Sequence, residues 1–524
     1  MLNRLMQLVL FLCFTATGFA QQADIADKYA KTVTVKDLRS RLEIIASDEF
    51  EGRETGQPGQ KKAADYIRSQ FKEFGYQPID KLNGFYQPFN LQLTYPDTVK
   101  LKIGKVEFKF LKDMYYFPGF GDMVLKADDI LYLGFGIESE NYSDYAGREV
   151  ADRVLLISGG EPVKRGISKV TNTSDRSDWT VDWTLKIELA KKKGAKALLV
   201  IDDNLTSSVS QYGRYIKRPN LVLGEKTTGP DGIPLIYISS AKANKILSQA
   251  GVSGTHQKLE KKMGRSGGSI YAEMKLPVTI EVNKVREELI SENVLAYLEG
   301  TEKPEELVVV TAHYDHLGKK GDKIFNGADD DGSGTTTLIE LAQAFAQAKA
   351  EGNGPKRSML FMTVSGEEKG LLGSEYYADN PVFPLDNTVA NLNIDMIGRI
   401  DENHAPDSNY VYLIGSDKLS TELHALSEDM NTKHSGLDLD YTYNDENDPN
   451  RFYYRSDHYN FAKNNIPVIF YFTGVHEDYH QPTDTVDKIM FQKMEKIARL
   501  VFYTAWEIAN RPGRLKVDVG QEDK

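Results

Sequence analysis

Hydrophobic and polar positions along the chain fall into three regimes. From about Val35 to Tyr95 the period is helical: Leu38, Leu42 and Ile45 recur at i, i+4 and i+7. Ala63, Ala64, Ile67 and Phe71 line one face of a second helix, with Gly75 as its stop. The turn-rich residues 51–59 separate the two, and Glu51, Arg53 and Glu54 read as a solvated loop. From about Pro96 to Leu289, short apolar runs at 130–135, 154–157, 197–201 and 235–238 alternate with turn signals, and a helix at 185–193 precedes the third. The Lys-, Ser- and Gly-dense residues 251–269 read as a loop or linker.

The third regime, from about Ser291 to Arg511, carries longer apolar runs. Strands are predicted at 294–298, 307–311, 358–364, 390–397 and 468–472. Helices are predicted at 334–348, 370–377 and 491–509. Strands this apolar are buried on both faces, and their alternation with helices predicts an α/β three-layer sandwich around a mixed, largely parallel sheet. Sites in such folds lie at the C-terminal ends of the strands. The polar clusters of this chain fall there.

The first cluster is His313-Tyr314-Asp315-His316, at the end of the 307–311 strand. A carboxylate two residues beyond an imidazole can hold the far ring nitrogen of a metal-bound histidine. Next, Asp329, Asp330 and Asp331 stand together just before a helix, where three like charges, if buried, need cations to coexist; a solvated, calcium-loop-like turn or simple helix N-terminal charge is the alternative. Adjacent Glu367 and Glu368 follow the next strand, a pair suited to one metal ligand and one proton carrier. Asp395 is placed inside an apolar strand, where its charge needs either a metal or an ion pair with Arg399. By spacing alone, either His476 or His480 can be a further ligand. Arg455-Ser456-Asp457-His458 reads as a capped helix start. Together these are nitrogen and oxygen donors without sulfur, a set that suits zinc and, less exclusively, cobalt or manganese. Two ions bridged by one carboxylate account for the surplus of acids.

Composition narrows the setting. The chain has 524 residues and a formal net charge of −12, which argues against nucleic-acid or anionic-membrane partners. Arg4, the apolar residues 5–14 and the small residues ending at Ala20 read as a signal peptide, so the protein is expected to be exported, periplasmic or secreted. No later stretch is long and apolar enough for a membrane span. Cys13 is the only cysteine and lies within that signal, which leaves no thiol for a disulfide or a nucleophile.

The pieces HYDHLG (313–318), NGADDDGSG (326–334), GEEKGLLGS (366–374), NIDMIG (393–398), RSDH (455–458) and DYHQPTDT (478–485) resemble, in order, the co-catalytic di-zinc aminopeptidase family. That family also includes glutamate carboxypeptidases and glutaminyl cyclases. Residues 45–53 and the helix at 56–71 look like its bacterial members. The resemblance implies two Zn2+ per chain, one on His313 and Asp395, the other on Glu368 and His480, with Asp330 between them. It implies Glu367 as general base to a metal-bridged water, Asp315 behind His313, and Tyr479 and Arg455 on the tetrahedral intermediate or the substrate amine. His476 matches no motif position and is left at the rim.

The expected substrates are peptides with a free N-terminus. Residues 96–289 resemble an inserted protease-associated domain. The implied layout is a signal at 1–20, peptidase segments at 21–95 and 290–512 around that insert, and a tail at 513–524. A glutaminyl cyclase, which uses one zinc and is usually single-domain, and a carboxypeptidase or dipeptidase are the rivals. A pseudoenzyme is disfavoured because every ligand position is filled. Substrate preference and oligomeric state are not legible.

Overall fold

Four strands buried along their apolar stretches form the middle of the sheet that carries the candidate site. The protein is described by a computed structural model covering residues 25–117, 122–182, 184–224 and 233–519, with the backbone alone at 96–98. The signal-peptide reading at 1–20 lies outside the described residues. The chain divides into two compact units, Met1–Leu91 with Leu289–Lys524, and Gln92–Glu288.

In the first unit, strands Arg357–Val364, Lys303–His313, Thr388–Ile394 and Val468–Phe472 are neighbours in that order and run parallel. Antiparallel partners close both sides: Val278–Leu298 pairs with Arg357–Val364, and Tyr410–Ile414 with Val468–Phe472. Pleating sends alternate side chains to opposite faces. Val308, Val310 and Ala312 therefore pack into one apolar cluster, while Leu307 and Val309 pack into another. The first is covered by helices Val35–Ile45, Pro58–Glu73, Gly334–Ala350 and Phe491–Asn510. The second is covered by Tyr377 of helix Leu372–Asp379 and Phe461 of the short helix Tyr459–Ala462. The unit is the predicted three-layer α/β sandwich with a mixed sheet.

One strand ends earlier than its apolar pattern predicts. Thr388–Ile394 stops before Asp395, so this carboxylate stands just past the strand end and not inside it. The backbone turns there because Asp395 donates its N–H to the Tyr471 carbonyl, while the next two amides, of Met396 and Ile397, go to the side chains of Asp331 and Ser333.

The second unit has its own sheet. Ile130–Leu133, Val154–Ser158, Ala197–Asp202 and Leu235–Ser239 run parallel. Tyr271–Met274 and Met114–Tyr115 add antiparallel edges. The loop expected at 251–269 is mostly a helix, His256–Ser266. Its apolar residues are few, but Leu259 and Met263 sit four apart and are each buried, in different apolar clusters, while lysines cover the outer face. Gly267 closes it at φ +70°, a left-handed C-terminal stop. Among the described residues no helix is long and apolar enough to cross a membrane.

Candidate metal centre

The parallel strands deliver the site from their C-terminal ends. His313 is the last residue of its strand, Asp395 follows the end of Thr388–Ile394, and Glu367 and Glu368 begin the turn after Arg357–Val364. Asp330 comes from the turn that opens helix Gly334–Ala350, and His480 from the loop after Val468–Phe472.

Two donor clusters result. In one, His313 Nε2 lies 3.3 Å from Asp330 Oδ1, 3.7 Å from Asp395 Oδ1 and 3.9 Å from Glu367 Oε2. In the other, His480 Nε2 lies 3.1 Å from Asp330 Oδ2 and 3.2 Å from Glu368 Oε2. The Asp330 carboxylate thus faces both clusters, one oxygen to each. His316, which the sequence reading passed over, enters the second cluster with Nδ1 2.8 Å from Glu368 Oε1 and 3.7 Å from Asp330 Oδ2. Its only signal was its place as the fourth residue of the His-Tyr-Asp-His run.

The three adjacent aspartates divide their work. Asp330 points at the histidines. Asp331 accepts the amides of His313, Gly334 and Met396, tying three elements at one carboxylate. Asp329 accepts the Gly398 amide at 2.6 Å and faces His476 Nε2 at 3.2 Å. Asp484 accepts the amides of Asp329 and Asp330. His476 is consequently buried against Asp329 and is not a rim residue. Its ring nitrogen faces Asp329 Oδ2, the oxygen that the Gly398 amide does not use.

Asp395 is not paired with Arg399, which instead binds Asp478 at 3.0 Å. Its partner is Ser456, whose hydroxyl donates to Asp395 Oδ2 at 2.7 Å and accepts from Asn393. Asp457 does not cap a helix, because its carboxylate is drawn inward to the Ser374 hydroxyl at 2.5 Å. Asp315 stands behind His313. The ring Nδ1 donates to its backbone carbonyl at 3.1 Å, and its carboxylate accepts from Thr55 Oγ1 and from the Glu367 amide.

The two glutamates are electrostatically distinct. Burial, opposed by His313 and reinforced by Glu368 and Asp395, pushes the Glu367 carboxyl well up. Burial and Asp330 also act to raise Glu368, but hydrogen bonds from His316 and His480 outweigh them and hold it at about 2. One carboxyl is therefore suited to proton transfer and its neighbour to permanent charge. Tyr479 stacks on His480 at 3.8 Å, and burial with the nearby carboxylates raises its phenol, which stays a donor. Arg455 is exposed over the Phe452 ring and lines the same pocket as Glu367 and Tyr479. Met396, Phe470, Phe472 and Val475 form the apolar side of that pocket.

The donors fit metal ions. Each cluster brings three ligand atoms within 4.8 Å of one another, His313, Glu367 and Asp395 in one and His316, Asp330 and Glu368 in the other. His316 Nε2 is buried without a hydrogen-bond partner, and Asp330 Oδ2 and Glu368 Oε1 are buried facing imidazole nitrogens. Orphaned buried polar atoms are costly, and here one converges with imidazole and carboxylate donors of the type zinc takes.

Residues 293–505 match the sequence model described as "Peptidase family M28". A "Probable leucine aminopeptidase" of Trichophyton verrucosum is 30% identical over 236 residues, covering 44% of this chain and 61% of that protein. A "Probable zinc metalloprotease" of Pyrenophora tritici-repentis is 33% identical over 145 residues, 27% of this chain and 29% of that one. The chain thus spans about six-tenths of the first relative's length and under a third of the second's. An aminopeptidase from Aneurinibacillus sp. strain AM-1 shares the fold at a TM-score of 0.52 and 20% identity, covering 94% of this chain and 98% of that one.

Proposed function

We propose that the protein, whose segment 293–505 matches the model described as peptidase family M28, is an exported two-zinc aminopeptidase of that family. The observation that carries this reading is the Asp330 carboxylate, with one oxygen toward each donor cluster and Glu367 beside them. His313, Asp395 and Asp330 would hold one ion. Asp330, Glu368 and His480 would hold the other. Zinc bound there supplies Lewis acidity to a peptide carbonyl and acidifies a water.

The chain's own residues do the rest. Glu367 takes the proton of the attacking water and returns it to the leaving amine. Tyr479 and Arg455 donate to the developing oxyanion. The Asp315 carboxylate, by accepting the Glu367 amide, fixes the base relative to His313. The wall of Met396, Phe470, Phe472 and Val475 receives the side chain of the N-terminal residue, so large apolar residues are preferred. A relative named as a probable leucine aminopeptidase supports that choice. Residues 96–289 act as a protease-associated domain on this reading, and the first 20 residues direct export.

Purified protein starting at Gln21, stripped of metal and titrated with zinc, tests the proposal. Release from free but not N-acetylated aminoacyl amides, rising to a plateau at two ions per chain and absent in Glu367→Ala, is expected. Cyclisation of N-terminal glutamine without hydrolysis would instead establish the transferase, and cleavage only at a C-terminus the carboxypeptidase. N-terminal sequencing of envelope or medium fractions beginning at Gln21 would support export. Retention of Met1 in the cytoplasm would refute it.

A further inference from the structure

Arg53 lies outside the family-matched segment, and its neighbourhood reads from sequence as a solvated loop. The structure buries it completely, among the largest fully buried side chains described. Among the described residues it forms no ion pair with a carboxylate. Its guanidinium instead donates to four backbone carbonyls: Nε to Tyr314 at 2.7 Å, Nη1 to Ile45 at 2.8 Å and to Asn326 at 2.7 Å, and Nη2 to Gly327 at 3.0 Å. Tyr314 is flanked by His313 and Asp315, and Asn326 and Gly327 open the turn that carries Asp330. The segment is sewn on further: His316 donates its amide to the Arg53 carbonyl, and Thr55 donates to Asp315.

We propose that Arg53 is a positioning residue that clamps the His313–His316 loop and the Asp330 turn to each other, and so sets the spacing of His313 and Asp330, donors to the ion shared with Asp395. The physical case rests on fork geometry. A planar guanidinium offers five N–H donors in fixed directions, which can span carbonyls from three segments at once. Lysine carries the same charge but as a point donor, and cannot span them. The buried positive charge also sits in a region crowded with carboxylates, and it can offset their repulsion without removing any from metal service.

This inference rests on the two-zinc reading, and the test separates the two. Zinc affinity at each site is measured by competition with a chromogenic chelator for wild type, Arg53→Lys and Arg53→Gly, the last with and without about 50 mM guanidinium chloride. The expected result is affinity lowered ten- to a hundredfold in both variants at the site of His313, Asp395 and Asp330, a smaller loss at the site that shares only Asp330, and recovery of Arg53→Gly by guanidinium. Wild-type affinity in Arg53→Lys, or no rescue of a folded Arg53→Gly, overturns the role of Arg53 alone. Failure of wild type to bind a second zinc overturns the underlying reading. Should the variants not fold, hydrogen exchange on wild type decides: segments 45–53, 314–317 and 326–330 must gain protection together when zinc is added. Independent exchange of 45–53 refutes the clamp.

Discussion

At the scale of single residues, function hangs on how neighbouring carboxyls are told apart. Glu367 and Glu368 are adjacent in sequence, yet only Glu368 is gripped by two imidazoles. Glu367→Ala should therefore lower kcat by about 10²–10⁴-fold while both zinc affinities stay unchanged, as measured by steady-state kinetics beside chelator competition. Loss of metal together with rate would show Glu367 to be a ligand instead. The two histidines of the second cluster pose a sharper question. His480 is about one-third exposed and touches Asp330 and Glu368, whereas His316 is wholly buried behind them. If His480 is the ligand, His480→Ala binds one zinc per chain under native conditions. His316→Ala would then keep two and lose stability. The reverse stoichiometry, read by atomic absorption, would exchange their roles.

At the scale of elements, strand ends and tight turns carry the design. Gly52, at φ +69°, brings residues 48–54 so close to the neighbouring loops that an added Cβ would lie 2.5 Å from the carbonyl oxygens of both Gly318 and Phe325. Left-handed backbone costs a non-glycine residue about 1–2 kcal/mol before any clash. Gly52→Ala should therefore destabilise by at least about 2 kcal/mol in urea unfolding, and a neutral result would show that the approach is looser than it looks. The apolar pocket is built largely on strand Val468–Phe472 and the loop after it. Val475, on that loop, is 37% exposed, so it can be changed without opening the core. Val475→Asp should cut kcat/KM for leucine amide about tenfold relative to lysine amide. An unchanged ratio would remove this wall from the substrate pocket.

At the scale of the whole molecule, the site is an electrostatic liability that metal relieves. Asp330, Asp395, Glu367 and Glu368 converge with Asp315, Asp329 and Asp331 just behind them, all packed into the sandwich. On the proposed two-zinc reading, zinc would bind the folded chain and not the scattered ligands of the unfolded one. Free zinc at about 100 times its dissociation constant adds about 2.7 kcal/mol per site. Chelation should therefore lower Tm by several degrees, reversibly on zinc readdition, in differential scanning calorimetry. A Tm indifferent to chelator would mean that the donors hold no ion.

The residues of the chain determined by themselves the α/β alternation and the donor types at the strand ends. Buried parallel strands must be continuously apolar, so HYDHLG and GEEKG stand out as polar endings to apolar runs, and NIDMIG as a carboxylate within one. That signal is local, and local patterning survives in one dimension. Other features depended on which chain segments meet. Three identical, adjacent aspartates differ only in what they face: a histidine pair, three amides, or Gly398 with His476. Ser456 behind Asp395 and His316 behind Glu368 gain meaning from partners tens of residues away or more. The helix at 256–266 was hidden because two large apolar side chains, Leu259 and Met263, sufficed among many lysines. Arg53 shows the limit most plainly. A charged residue in a glycine-rich turn looks solvated in sequence, and only tertiary structure supplies the four carbonyls that make its burial affordable.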